Sequence, residues 1–428
     1  MGFQFKNGFL LGVSSAATQI EGGKVDTNWL TLWKNGGIKD GTSPAVADEH
    51  WKRWQEDDKL LASMGIKISR VGIEWGRLVP EEGKIDESAV KHYREEFEYL
   101  IGKGVKPLLT IHHFSNPMWF EEKGGWVKKE NCRYYLDLVR LVLDRFGDII
   151  SEYITINEPN VYATNSFQSG QWYPNHTSLI ETFQVMNNMA YCHIRAYEMI
   201  HAWRESRGYK DTKVGVANHL RAFDPKDASN PKDVLVSRAV AWVFQGAITE
   251  AMCLGRFKLP LVNLWGVKEG AYSDFNGINY YSRSTISGFE DGVRENCPKN
   301  DLGWEIYPEG LIRCAAWVSG ILYRPIWVTE NGTCDNEDLF RCRYLYDHLS
   351  AISASPLPFE RYYHWCFTDN WEWAEGQTAR FGLVHNDYET QTRTVKKSGE
   401  FYREMIRQHG VTDKMFEKYV KDEKYNIK

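Results

Sequence analysis

Eight short runs of apolar and β-branched residues recur along the chain, and between them lie stretches whose apolar residues return every three or four positions. The runs are Phe9 to Val13, Ile66 to Ile73, Lys106 to His112, Tyr153 to Asn157, Val214 to His219, Gly277 to Tyr281, Ile326 to Thr329 and Tyr362 to Phe367. Asp48 to Met64, Glu87 to Ile101, Glu130 to Phe146 and Thr182 to Arg204 carry the helical spacing. Continuous apolar runs are how strands buried on both faces read, and a three-to-four spacing is the apolar stripe of a helix. Strand and helix therefore alternate, as in a parallel sheet covered by helices. Eight such units make an α/β fold of the (β/α)8 or TIM-barrel type; a doubly wound open sheet shows the same alternation, and periodicity does not separate the two. No repeat of fixed period and no Pro, Gly or Ser linker divides the chain, so residues 1–428 are expected to form a single barrel domain.

A barrel keeps its chemistry at the C-terminal ends of its strands. Polar and charged residues stand there: Arg70 and Glu74 at the second run, His112 and His113 at the third, Asn157 and Glu158 at the fourth, Asn279 and Tyr281 at the sixth, Glu330 and Asn331 at the seventh, Asp369 and Glu372 beyond the eighth. In a closed barrel these ends surround one mouth.

Composition narrows the class. With 52 Lys and Arg against 57 Asp and Glu, the chain lacks the positive charge that neutralising a nucleic-acid backbone requires. No apolar run approaches the length of a membrane span, and the first residues lack the layout of a secretory signal, so a cytoplasmic location without membrane attachment is expected. The eight cysteines are scattered without metal-ligand spacing, which suggests reduced thiols, no metal site and no cofactor. The 17 Trp residues are more than core packing needs, and indole rings also lie against the apolar faces of ligands.

Thr155 to Asn160 (TINEPN) and Val328 to Thr333 (VTENGT) each place a Glu directly after a β-rich run. Either Glu alone reads equally as a solvated loop residue or an ion-pair partner. Two carboxyl groups from different strands facing one pocket are what cleavage of an acetal needs: one supplies a proton to the leaving oxygen, and the other meets the positive charge growing on the sugar ring.

Asn7 to Gly23 (NGFLLGVSSAATQIEGG) resembles the opening of family 1 glycoside hydrolases. TINEPN and VTENG are similar to that family's acid/base and nucleophile segments. SRVGIEW, TIHHF, GINYYS, TDNWEWAEG and RFGLVHNDYETQTR follow in the family's order over roughly residues 3 to 406. The resemblance implies a (β/α)8 barrel and a retaining β-glycosidase acting on terminal β-D-glycosyl residues of oligosaccharides or glycosides. It assigns Glu158 as acid/base and Glu330 as nucleophile. It supplies Gln19, His113, Asn157, Glu372 and Trp373 for the sugar hydroxyls, Trp365 under the sugar face, Phe381 as a pocket wall, and Arg70, Tyr281 and Asn279 in support. Opposite ionisation of the two Glu residues is expected, with the charge of Glu330 holding the pKa of Glu158 up while Arg70 and Tyr281 keep Glu330 ionised.

Two positions depart from the family pattern. Phe114 stands where Trp is common, removing an indole donor, and Glu74 reads as a buried network residue rather than a third catalytic carboxylate. Glu158 in place of Gln disfavours a thioglucosidase. A carboxylate at Glu372 would repel a 6-phosphate, which favours a neutral sugar over the 6-phospho-β-glycosidase alternative. A catalytically silent carbohydrate-binding barrel is the alternative from another class, and retention of both Glu158 and Glu330 speaks against it. The partner is expected to be a small carbohydrate.

Overall fold

The computed structural model describes residues 1–288 and 290–427. All eight runs form strands: β1 Leu10–Ser14, β2 Ile68–Gly72, β3 Lys106–His112, β4 Glu152–Asn157, β5 Lys213–His219, β6 Asn276–Asn279, β7 Ile326–Asn331 and β8 Phe359–Trp365. Each pairs in parallel with its sequence neighbour, and β8 pairs with β1, so the sheet closes into a barrel and the open-sheet alternative falls.

The helices form where the spacing placed them: α1 His50–Ser63, α2 Glu87–Gly102, α3 Cys132–Phe146 and α4 Leu179–Glu205, followed by α5 Pro308–Ile321, α6 Arg341–Ala354 and α7 Lys397–Gln408. In α3, Tyr135, Leu138, Val139, Val142 and Phe146 share one buried face while the charged residues between them stay in water. Helix α2 is capped by Asp86, whose carboxylate accepts from the Ser88 and Ala89 amides that would otherwise lack partners.

The barrel interior has two levels. At the N-terminal end, Ile68, Leu108, Ile154, Ala217, Phe275, Trp327 and Tyr363 form an apolar floor, with the Phe275 and Trp327 rings stacked 3.9 Å apart. Above that floor the inward side chains are polar. Two irregularities in strand register arrange this. In β4, Thr155 reaches out to His193 of α4, Ile156 joins the outer apolar shell, and Asn157 is back inside on Arg70. Two successive outward residues are the signature of a bulge, and the β4–β5 register shifts between Ile154 and Asn157. In β7 the register with β6 shifts between Val328 and Glu330, and Thr329 and Glu330 both point inward.

Smaller pieces surround this frame. Ala222–Pro225 pairs with Arg283–Ser287, and Val384–Asp387 pairs with Thr392–Val395. All eight cysteines are buried and free. No helix among the described residues is long and apolar enough to cross a membrane.

Candidate active site

Arg70, fully buried in the middle of β2, organises the mouth of the barrel. Its guanidinium donates to Thr110 Oγ1 at 2.9 Å, to Asn157 Oδ1 at 2.6 Å and to Glu330 Oε1, joining β2, β3, β4 and β7. Tyr281 donates to the other oxygen of Glu330 at 2.6 Å. Asn279 at the end of β6 accepts from Thr329 at 2.7 Å and donates to Glu158 Oε1 at 2.8 Å and Asn157 Oδ1 at 3.0 Å. Glu158 and Glu330 are thus held in one hydrogen-bonded set, 5% and 3% exposed.

Glu158 adopts φ 40°, a left-handed conformation unusual for a residue with a Cβ, as it leaves β4 for the helical turn opened by Pro159. Phe114 (φ 63°) and Trp373 (φ 50°) share that conformation. All three border the same cavity, about 310 Å³ in volume, which places backbone strain where side chains must be aimed.

The cavity is walled by His113, Trp365, Trp373, Tyr281 and Phe381, with Glu158, Glu330 and Glu372 facing it. Gln19 sits beneath Glu372 and donates to it at 3.0 Å. Every site residue expected from the sequence therefore lies at or against this one cavity. Three of them retain a buried polar atom with no protein partner: Gln19 Oε1, Asn157 Nδ2 and His113 Nδ1.

The ionisation pattern corrects the expectation. Burial raises the Glu158 carboxyl, but the His219 imidazole hydrogen-bonded to it, with Asn279 and Arg70, pulls it below its ordinary value. Burial also raises Glu330; Arg70 opposes this and the nearby Glu158 reinforces it, leaving Glu330 at about 7. The member expected to be raised is lowered, and the reverse, because an imidazole partners Glu158 and because burial outweighs Arg70 and Tyr281 at Glu330. Glu372 is pushed up to about 8 by burial, against Gln19 and with the help of Glu330. It is mostly uncharged at neutral pH, so the expected repulsion of a 6-phosphate does not come from this residue.

Among the lining residues that sequence reasoning passed over are His219, Arg221, Trp172 and Trp304. His219 was within reach, since it ends the fifth strand, and the rule that pointed to the other strand ends applies equally there. Trp172 and Trp304 lie on long loops with no periodic signal. Trp172 packs 4.9 Å from Phe114, so an indole stands beside the position where a Trp was expected. Glu74 is a network residue as expected, accepting from Thr18 at 2.5 Å and Ser115 at 2.8 Å.

The model of Glycosyl hydrolase family 1 matches residues 1–411. The chain belongs to glycosyl hydrolase family 1. Beta-glucosidase A of Thermotoga maritima is 30% identical over 451 aligned positions, covering 96% of this chain and 99% of that protein. The beta-glycosidase of Pyrococcus horikoshii superposes with a TM-score of 0.88 at 29% identity, covering 98% of each chain. The Thermotoga maritima beta-glucosidase in complex with deoxynojirimycin gives a TM-score of 0.87 at 29% identity, covering 96% of this chain and all of that one (100%). This family 1 chain is accordingly a glycoside hydrolase, built on the barrel its relatives share.

Proposed function

We propose that this family 1 glycosidase is a retaining β-glycosidase that removes terminal non-reducing β-D-glycosyl residues, glucose or galactose and related sugars, from oligosaccharides and glycosides in the cytoplasm, with residues 1–428 acting as one catalytic barrel. The observation that carries this reading is the set of unpartnered polar atoms on Gln19, Asn157 and His113 around a cavity walled by indoles. Buried polar groups without partners are costly, and a sugar presents hydroxyls to satisfy them and apolar C–H faces to lie on Trp365 and Trp373.

The chemistry follows from the two carboxyls. Glu158 gives its proton to the glycosidic oxygen while Glu330 attacks the anomeric carbon from the opposite side, forming a glycosyl-enzyme and releasing the leaving group as an alcohol. Bonding consumes the charge on Glu330, which removes its electrostatic push on Glu158. Glu158 then accepts a proton from water as the water oxygen attacks the same carbon, and Glu330 leaves as a carboxylate. Asn157, anchored by Arg70 and Asn279, keeps its amide N–H free for a sugar hydroxyl. A neutral sugar is favoured over a 6-phosphate by the wall itself: Arg221 is its only Lys or Arg among the described residues, and that guanidinium faces His219 and Asp291.

Removing the nucleophile tests the assignment. Glu330→Gly should lose hydrolysis of a dinitrophenyl β-glucoside by about 10⁴-fold or more. Added azide should restore turnover with an α-glycosyl azide as product. Undiminished hydrolysis by the variant, or a β-azide, would sink it.

A further inference from the structure

We infer that His219 is a positioning residue that determines which oxygen of Glu158 handles the proton, and that Arg221 sets the tautomer in which it does so. The inference rests on the assignment of Glu158 as the general acid. His219 Nδ1 lies 2.9 Å from Glu158 Oε1, and Arg221 Nε lies 3.1 Å from His219 Nε2. A guanidinium N–H only donates, so Nε2 must offer a lone pair. The ring proton therefore sits on Nδ1 and is donated to Glu158 Oε1. Asn279 donates to that same oxygen at 2.8 Å. With two N–H groups aimed at it, Oε1 is an acceptor only.

No protein donor reaches Oε2 among the described residues. It is therefore the oxygen that carries the proton. In the first step the proton passes from Oε2 to the glycosidic oxygen as the C–O bond breaks, leaving a carboxylate whose charge on Oε1 is met by His219 and Asn279. In the second step water returns a proton to Oε2.

Arg221 has a second effect. A protonated imidazole beside Glu158 would hold its carboxyl ionised, the wrong state for a proton donor; the guanidinium on Nε2 excludes the second proton. The surroundings hold this arrangement in place. Tyr281 stacks along His219 at 6.0 Å with an interplanar angle of 17°, and the Phe244 ring meets its edge at 5.9 Å. Gln245 accepts from the Arg221 main-chain N–H at 2.9 Å and donates back to its carbonyl at 3.2 Å, while Asp291 receives the guanidinium at 3.3 Å. The charged and titratable groups facing the imidazole are thus Glu158, Arg221 and Tyr281, with Asp291 beyond Arg221. Those facing Glu158 besides His219 are Arg70, Arg221, Tyr281, Glu330 and Glu372.

The tautomer is directly measurable in the intact protein labelled with 15N-histidine, through long-range proton–nitrogen correlations. His219 is identified by its absence from His219→Gln or by contacts to the Phe244 ring. We expect a protonated Nδ1 and a bare Nε2 between pH 5.5 and 8; an Nε2–H tautomer or a doubly protonated ring overturns the inference. In Arg221→Met the ring should gain a second proton below neutral pH, and an unchanged ring again overturns it.

Kinetics give an independent reading. His219→Phe should lose about tenfold more kcat/KM on an alkyl β-glucoside than on a dinitrophenyl β-glucoside, with His219→Gln recovering most of the difference. Loss of a donor to the carboxylate should move the alkaline limb of kcat/KM to higher pH in His219→Phe, whereas Arg221→Met should move it to lower pH. Equal losses on both substrates, or shifts of the same sign, mean that His219 only supports the fold. The tautomer requires no substrate, so a wild-type protein inactive on every glycoside would defeat the proposed function while leaving the tautomer itself readable.

Discussion

Glu330 is the residue at which burial, ion pairing and hydrogen bonding meet. Desolvation lifts its carboxyl, Arg70 and Tyr281 pull it down, and Glu158 adds a push upward. Attack on a sugar needs the ionised form, which grows as pH rises through about 7, so the acid limb of kcat/KM should lie near that value. Glu158→Gln removes the neighbouring charge, and the limb should then move to lower pH. The check is a pH profile on a dinitrophenyl glycoside, whose leaving group needs no proton; a limb that stays or rises would contradict the coupling. Residue identities at this scale were legible where they stand next to a strand, as with Asn157, Glu158 and Glu330. Ionisation was not, because it depends on His219, which lies 61 positions from Glu158 in sequence but 2.9 Å away in space.

At the scale of elements, the eight strands fall where apolar runs lie, and α2 begins at the residue expected. Ends are less legible. β8 starts at Phe359 rather than Tyr362, because its first residues are held by pairing with β7 rather than by their own pattern. The bulges in β4 and β7 leave no mark in composition, yet they turn Asn157 and Glu330 into the barrel. Gly332, just past β7, shows how tightly this end is built: a Cβ there would lie 1.9 Å from the Trp365 carbonyl oxygen. Gly332→Ala must displace the backbone beneath Trp365, so it should destabilise the protein by about 2–3 kcal/mol and raise KM for a glycoside. Chemical denaturation and steady-state kinetics would show this, and an unchanged melting profile would rule out the close approach. The short pairings Ala222–Pro225 with Arg283–Ser287 and Val384–Asp387 with Thr392–Val395 escaped the sequence reading, since these mixed polar segments lack any alternation.

For the whole molecule, closure of the sheet matters most. It gathers Arg70, Asn157, Asn279 and Glu330 from four strands onto one level and seals the other end with the apolar floor. Beneath that floor Glu152 takes hydrogen bonds from Arg361, one of them 2.8 Å long, and the Arg361 guanidinium covers the Trp327 ring at 3.7 Å. Glu152→Ala strands a mostly buried cation, which should lower stability by about 3–5 kcal/mol without altering KM for molecules that remain folded. Lys106 loses its carboxylate partner in the same variant, and a variant as stable as the parent would contradict the prediction. The sequence by itself determined the alternation of strands and helices, and through its motifs the pair of carboxyls, because hydrophobic periodicity and short motifs are local properties. The motifs also implied a closed barrel; tertiary structure alone decided that bulges aim the carboxyls and that His219 and Arg221 stand behind Glu158. These depend on register and on contacts between distant strands, and such contacts fix both the direction of a side chain and the field it feels.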